Sequence, residues 1–386
     1  MQTTWQNVPE ESLGEASRSD SGIPLRTLLA CIEQWVPFSW QESYDNAGLI
    51  LGDPDRNVTE ALVCFDVTPE VVDEAVRIGA DLIVSHHPAI FKGIKRINPA
   101  SRLGYMIKQS LCHDIAWCAL HTNLDNTLNG VNSYLCEQLG LKDVQPLAPL
   151  QDIYGKLQVY VPEAYAEKLR QALAEAGCGA GARYDACSYS SRGEGRFRAG
   201  SQAHPFSGQI GELHCEAECK IECLYPLHKT RQVLDVLRTN HPYEEPAFDL
   251  LPLRNEATGQ GAGAIGNLQE SLQETELLDK LKELTGTHCI RHSGFRGRKI
   301  RRIALCGGSG GSFIGNACAR QADAYITGDL KYHDFADAGS GTWLVDIGHF
   351  ESEKFAMELI FRFIRKNFPN FAVSISEQAR NPVSFY

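Results

Sequence analysis

The stretch TPEVVDEAVRIGADLIV, residues 68–84, limits the possible folds more than any other part of the chain. Its first half carries apolar residues at helical spacing, with Thr68 as N-cap, Pro69 at the first helical position and Gly79 at the end. Its second half ends in a short apolar strand run, and EALVCFDV just before the helix holds another. Strand, capped helix and strand bring the chain back parallel to itself, and strands this apolar are covered on both faces. The alternation spans residues 23–140. PLRTLLACIEQWVP and residues 102–110 read as helices, DIAWCALH as a strand, and residues 129–139 as a helix stopped by Gly140. We therefore expect an α/β domain with a largely parallel sheet and helices on its faces.

The pattern changes near Ile153. YGKLQVYVP reads as a strand, EAYAEKLRQALAEAG as a helix, and Gly- and Ser-rich hairpin segments lead to the long strand ELHCEAECKIECLYP. The helix LHKTRQVLDVLRTN and the strand PAFDLLPL close a β-α-β-β-α-β order, the pattern of a ferredoxin-like domain. After RNEATGQGAGAIG, read as a flexible connector, the α/β alternation resumes and ends in one long helix, ESEKFAMELIFRFIRKN. The expected organisation is a flexible tail over residues 1–22, an α/β domain in two halves over 23–150 and 256–386, and an inserted α+β domain over 151–255.

Composition removes several classes of function. Lys and Arg number 37 against 48 Asp and Glu, a net charge of −11, which argues against a nucleic-acid partner. The basic stretch at residues 291–302 reads as a solvated loop leading into a strand. No apolar run approaches the roughly 20 residues of a membrane span, and the polar start has no signal-peptide core. Thirteen scattered cysteines, an odd number without a short framework, fit free thiols in a reducing cytoplasm. Cys215, Cys219 and Cys223 are four apart on one face of a strand, where small buried residues explain them better than a metal site.

The chemistry collects at four strand ends. His86-His87 follows DLIV; His121 and Asp125 follow AWCAL; Asp329 and His333 follow DAYI; His349 and Glu353 follow TWLV. Ligands of open α/β sheets gather beyond the carboxyl ends of parallel strands. Pro88 keeps His87 extended, and His349 and Glu353, four apart at a helix start, share a face. Taken singly, such groups are more often hydrogen-bonded core residues or surface pairs. Four strand ends together point to a metal site, and imidazole with carboxylate suits zinc, iron(II) or manganese. His113, His204, His228, His288 and His292 have no such companions. The glycine-rich turn CGGSGGSF fits either an anion or tight strand-to-helix packing.

YDNAGLILGD, CFDVTPEVVDEAVRIGADLIVSHHPAIFKG, HTNLD, GAGAIGNL, ADAYITGDLKYHD and DIGHFESE together resemble, in order, the motifs of the NIF3-like dinuclear metal proteins, often called GTP cyclohydrolase 1 type 2. The segment with NHPYEEPAFDLLPL resembles the PII- or CutA-like insertion of the family's longer members. The resemblance implies two divalent cations held by His86, His87, Asp125, His349 and Glu353, with Glu353 as the bridge. It places His121 in or beside the site, where it is the candidate proton shuttle. His333 and Asp329 would line the pocket as candidate catalytic groups, Asp329 standing where the family commonly has Glu. It also implies a toroidal homohexamer, a trimer of dimers, and a metal-dependent hydrolase acting on a nucleotide or related small molecule. A metal-dependent phosphoesterase and a non-enzymatic regulatory or scaffold assembly are the competing readings.

Overall fold

The computed structural model describes residues 22–181, 183–338 and 341–386. The expected flexible tail, apart from Gly22, lies outside the described residues. The chain forms two compact units, Met1–Ala148 with Gln260–Tyr386, and Pro149–Gly259.

In the larger unit the expected parallel sheet is two sheets. The first runs in the order Ala372–Ile375, Glu60–Cys64, Leu82–Ser85, Ala116–Ala119 and Gly48–Leu51, parallel except for the last strand. The second runs Arg291–His292, Trp343–Asp346, Ala324–Gly328, Ile300–Ser309, Gly261–Leu272 and Lys142–Pro149, with three parallel strands in its middle. Strand alternation in a sequence says that strands are parallel, not which sheet each joins.

Both sheets are sealed on both faces. Val63, Val84 and Cys118 pack with Leu28, Ile32 and Ile360 on one side of the first sheet. The residues alternating with them, Leu62, Ile83 and Trp117, pack with Val72, Ala75 and Ile107 on the other. In the second sheet Ile303, Ile326 and Val345 meet Leu277 and Leu281, whereas Ala304, Tyr325 and Leu344 meet Ala317 and Leu330. The crossover helix Pro69–Ile78 has its Thr68 cap, whose hydroxyl accepts the Val71 N–H at 3.3 Å, and a left-handed Gly79 at φ +80°.

Three expectations need correcting. The connector read as flexible runs into the strand Gly261–Leu272, whose glycines hid it and whose ladder with Ile300–Ser309 holds it. The long final helix is two, His349–Glu353 and Phe355–Asn367, broken at Lys354, whose ammonium donates to the Thr285 carbonyl at 2.6 Å. The basic stretch is also more than a solvated loop: Arg298 and Arg302 donate to the Asp323 and Arg320 carbonyls.

The smaller unit has the ferredoxin-like order. Strands Phe248–Leu253, Tyr154–Pro162, Leu213–Pro226 and Ser188–Arg198 lie side by side and antiparallel. Helices Ala166–Glu175 and Thr230–Asn240 pack Leu169, Leu173, Val233 and Leu237 on one face of that sheet, against Leu157, Val159 and Ile221. Cys219 and Cys223 join this core, but Cys215, toward the strand's start, is exposed. All thirteen cysteines are free thiols. Among the described residues no helix is long and apolar enough to cross a membrane.

Candidate metal centre

The carboxyl ends of the parallel strands in the two sheets meet at one cluster. His86 and His87 extend the strand Leu82–Ser85, their N–H groups donating to the Cys64 and Phe65 carbonyls at 3.1 and 3.0 Å. The Ser85 hydroxyl donates to the His87 carbonyl at 2.7 Å, and the two rings lie on the same side with centroids 5.0 Å apart. Asp125 ends the short helix Thr122–Asp125 after the strand Ala116–Ala119. The second sheet delivers His349 and Glu353 on one helical face, with Nε2 and Oε2 3.0 Å apart.

Glu353 Oε2 is the common point. It lies 3.5 Å from His86 Nε2, 3.4 Å from His87 Nε2 and 3.0 Å from His349 Nε2. Asp125 Oδ1 is 3.9 Å from His86 Nε2, and His87 and His349 bring their Nε2 atoms within 3.3 Å of each other. Two groups therefore share the carboxylate: His86 with Asp125, and His87 with His349. His86, His87 and Glu353 satisfy the spacing of a metal-binding triplet by themselves.

Each ring is braced from behind. His86 Nδ1 sits 2.8 Å from the Leu120 carbonyl, His87 Nδ1 2.8 Å from Asp66 and His349 Nδ1 2.7 Å from Asp329. An Nδ1–H donated to an oxygen leaves the Nε2 lone pair facing inward, the tautomer a metal ligand needs. In that tautomer three lone pairs converge on one carboxylate oxygen, an arrangement that a bound cation reconciles and that protons on the rings reconcile without one. His86 Nε2, Asp125 Oδ1 and Glu353 Oε2 are buried without a hydrogen-bond partner among the described residues. Buried polar atoms of this kind call for a partner such as an ion or an ordered water. The donor set fits divalent cations of the zinc, iron and manganese type.

The same contacts set the charges of the cluster. Burial opposes charge on His87, but the Asp66 and Glu353 carboxylates push it up to about 10. Burial likewise opposes charge on His349, and Glu353 with Asp329 pushes it up to about 9. On fully enclosed His86, burial wins and the ring is pushed down. Asp125 is driven up by burial and by the neighbouring Glu353 charge. Glu353 is held low in spite of its burial by the three histidines around it.

The remaining candidates separate. His121 stands edge-on to His87, centroids 5.1 Å apart, with Nδ1 2.7 Å from Asp45. Burial opposes ionisation of Asp45, yet hydrogen bonds from His121 and Thr122 hold it down at about 2. Asp329 reaches the cluster by its contact with His349 Nδ1 at 2.7 Å. His333 is not brought to the cluster: it is exposed on the helix Tyr332–Ala336, and its ring meets Tyr332.

Sequence reasoning passed over two carboxylates and left the glycine-rich turn open. Asp66 and Asp45 are ordinary strand-end and turn carboxylates until folding brings them to histidines 21 and 76 positions away. Gly308, within CGGSGGSF, has φ +61°, and a Cβ there would lie 2.1 Å from Glu353 Oε1. That turn is bare because the shared carboxylate occupies the space, so tight packing is its function.

Fold and cluster define the class: an α/β protein with a ferredoxin-like insertion, whose parallel sheets converge on a histidine–carboxylate site suited to metal. Residues 23–382 match the model of the Duf34/NIF3 (NGG1p interacting factor 3) family, and the chain belongs to that family. It is 37% identical over 327 residues to a GTP cyclohydrolase 1 type 2 homolog of Halalkalibacterium halodurans, covering 84% of this chain and 88% of the relative. A homolog of the same name from Bacillus subtilis is 36% identical over 364 residues, covering 93% and 97%. The crystal structure of a Bacillus cereus protein related to NIF3 superposes with a TM-score of 0.81 at 34% identity, covering 94% and 99%.

Proposed function

We propose that this protein is a metal-dependent hydrolase that holds two divalent cations and acts on an anionic small molecule, a nucleotide or another phosphate ester. The observation that carries the reading is the convergence of three braced imidazoles on the Glu353 carboxylate, beside a cavity with two arginines in its lining. That cavity, about 460 Å³, is lined by His87 together with Arg102 and Arg380. Guanidinium groups suit phosphate oxygens.

His86, Asp125 and Glu353 would hold one cation, and His87, His349 and Glu353 the other. A bound divalent cation supplies Lewis acidity, lowering the pKa of water and polarising the bond under attack. Asp66, Asp329 and the Leu120 carbonyl keep the ligand rings in the metal-binding tautomer. Asp45 fixes His121 through Nδ1, so its Nε2 is the atom free to accept a proton from the nucleophile and return it to the leaving group. Arg102 and Arg380 orient the substrate's charged end toward His87.

The relatives' name points to GTP as the first substrate to try. Metal analysis of the reconstituted protein, followed by assays with GTP and with phosphoesters, tests the reading in two stages. Fewer than one metal per chain would remove the dinuclear centre; a fully metallated protein that leaves GTP intact would remove the cyclohydrolase activity and leave phosphoesters as the alternative.

The competing reading is a regulatory or scaffold assembly without turnover, favoured by an insertion with its own core. The toroidal homohexamer belongs to either reading, with a cytoplasmic setting. Light scattering on wild type and on His87→Ala separates them. Lost turnover with the assembly intact supports catalysis; lost assembly supports a structural role for the metals.

A further inference from the structure

The ferredoxin-like unit has a site of its own. Because both helices cover one face of its sheet, residues alternating with Val159, Val161 and Ile221 lie on the other face, Tyr160 and Glu218 among them. A cavity of about 480 Å³ opens there, lined by Glu218, Tyr160, Phe197, Phe206, Tyr243 and Arg198. Its two covering segments are tied together where the His204 N–H donates to Glu244 Oε1 at 3.0 Å.

Glu218 is only 9% exposed. Its Oε1 accepts the Tyr243 hydroxyl at 2.9 Å, and among the described residues no lysine, arginine or histidine forms an ion pair with it. The neighbouring strand is bare where the carboxylate lies, since a Cβ on Gly195 would fall 2.2 Å from Glu218 Oε2. A buried carboxylate held by one neutral donor is costly unless a cation joins it.

The rest of the lining favours that cation. Phe197 and Phe206 stand 5.9 and 6.1 Å from Tyr243, centroid to centroid, and aromatic faces attract positive charge. Four carboxylates, Glu194, Glu218, Glu244 and Glu245, line the cavity against two guanidiniums. One of these, Arg196, is already paired with Glu194 at 3.1 Å. An anionic ligand would meet net repulsion.

We propose that this cavity binds an organic ammonium ion: a primary amine whose N–H groups donate to Glu218 and whose apolar body lies against Phe197, Phe206 and Tyr243. The site is independent of the metal cluster and of any hydrolytic activity.

Calorimetric titration of the full-length, metal-loaded protein with phenethylammonium chloride tests it, with neutral phenethyl alcohol and anionic GTP as controls. The ammonium is expected to bind at least about tenfold more tightly than the alcohol. Glu218→Gln is expected to abolish that preference with the metal content unchanged. If Glu218→Gln does not fold, Phe197→Leu serves instead and is expected to reduce the preference about threefold. Equal affinity for ammonium and alcohol, no ammonium binding to wild type, a preference that survives these substitutions, or displacement of the ammonium by GTP would each overturn the proposal.

Discussion

The two units put their polar chemistry in opposite places. In the larger one, apolar side chains seal both faces of each parallel sheet, so the histidines and carboxylates gather beyond the strand ends. In the smaller one, the β-α-β-β-α-β order sends both helices to one face and leaves the other for Glu218 and its aromatic neighbours. Parallel crossovers require cover on both sides; an antiparallel sheet does not. Connectivity thus decides whether a site forms at the ends of a sheet or on its surface.

The largest expected effect comes from Glu353→Gln, which removes the charge shared by both ligand groups. Metal affinity is expected to fall by more than the roughly 10–100-fold typical of an outer partner, while ammonium binding in the smaller unit is unchanged. Retained metal in elemental analysis would show that the two groups do not depend on the common carboxylate.

Leu157→Ala probes the other side of the comparison. Leu157 is fully buried in the core of the smaller unit, and its truncation is expected to cost about 2–5 kcal/mol there. Denaturant unfolding should show an earlier transition for that unit, with metal uptake intact. Concerted loss of both would mean that the units are not separately stable.

Asp66→Asn is a milder test of the bracing. It keeps the contact with His87 but removes the charge that favours its ligand tautomer, and metal affinity is expected to drop by about 10–100-fold. A wild-type value would make Asp66 dispensable.

The smallest effect is on pH dependence. In chelator-treated protein His87 and His349 are raised from 6.5 to about 10 and about 9 by their carboxylate neighbours, against the opposing effect of burial. Raised groups contribute stability that is complete below the ordinary value and lost as pH climbs through the folded one. The melting temperature of the chelated protein is therefore expected to fall between pH 6.5 and 10, and added cation to flatten that decline by displacing the protons. Parallel curves with and without cation would contradict a cluster that exchanges protons for metal.

Much of this was readable residue by residue. The capped helix after Thr68, the apolar strands around it and the β-α-β-β-α-β order of the insertion follow from local spacing and capping, which act over a few positions. His86-His87 and the His349, Glu353 pair stood out because polar residues there end apolar strands. The ladder of Gly261–Leu272 did not stand out, because glycine weakens the strand signal and pairing with Ile300–Ser309 supplies what composition withholds. Nor did Asp66 and Asp45, whose hydrogen bonds join segments 21 and 76 positions apart.

What the sequence by itself determined is the set of elements and the donor atoms waiting at their ends, because periodicity, caps and side-chain chemistry are local. Only the tertiary structure decided that the parallel strands fall in two sheets and that their ends face one carboxylate. It also decided that Gly308 makes room for that carboxylate and that Glu218 lies buried with no cationic side chain paired to it among the described residues. These are matters of which distant segments come within a few ångströms, and that is settled by packing the whole chain.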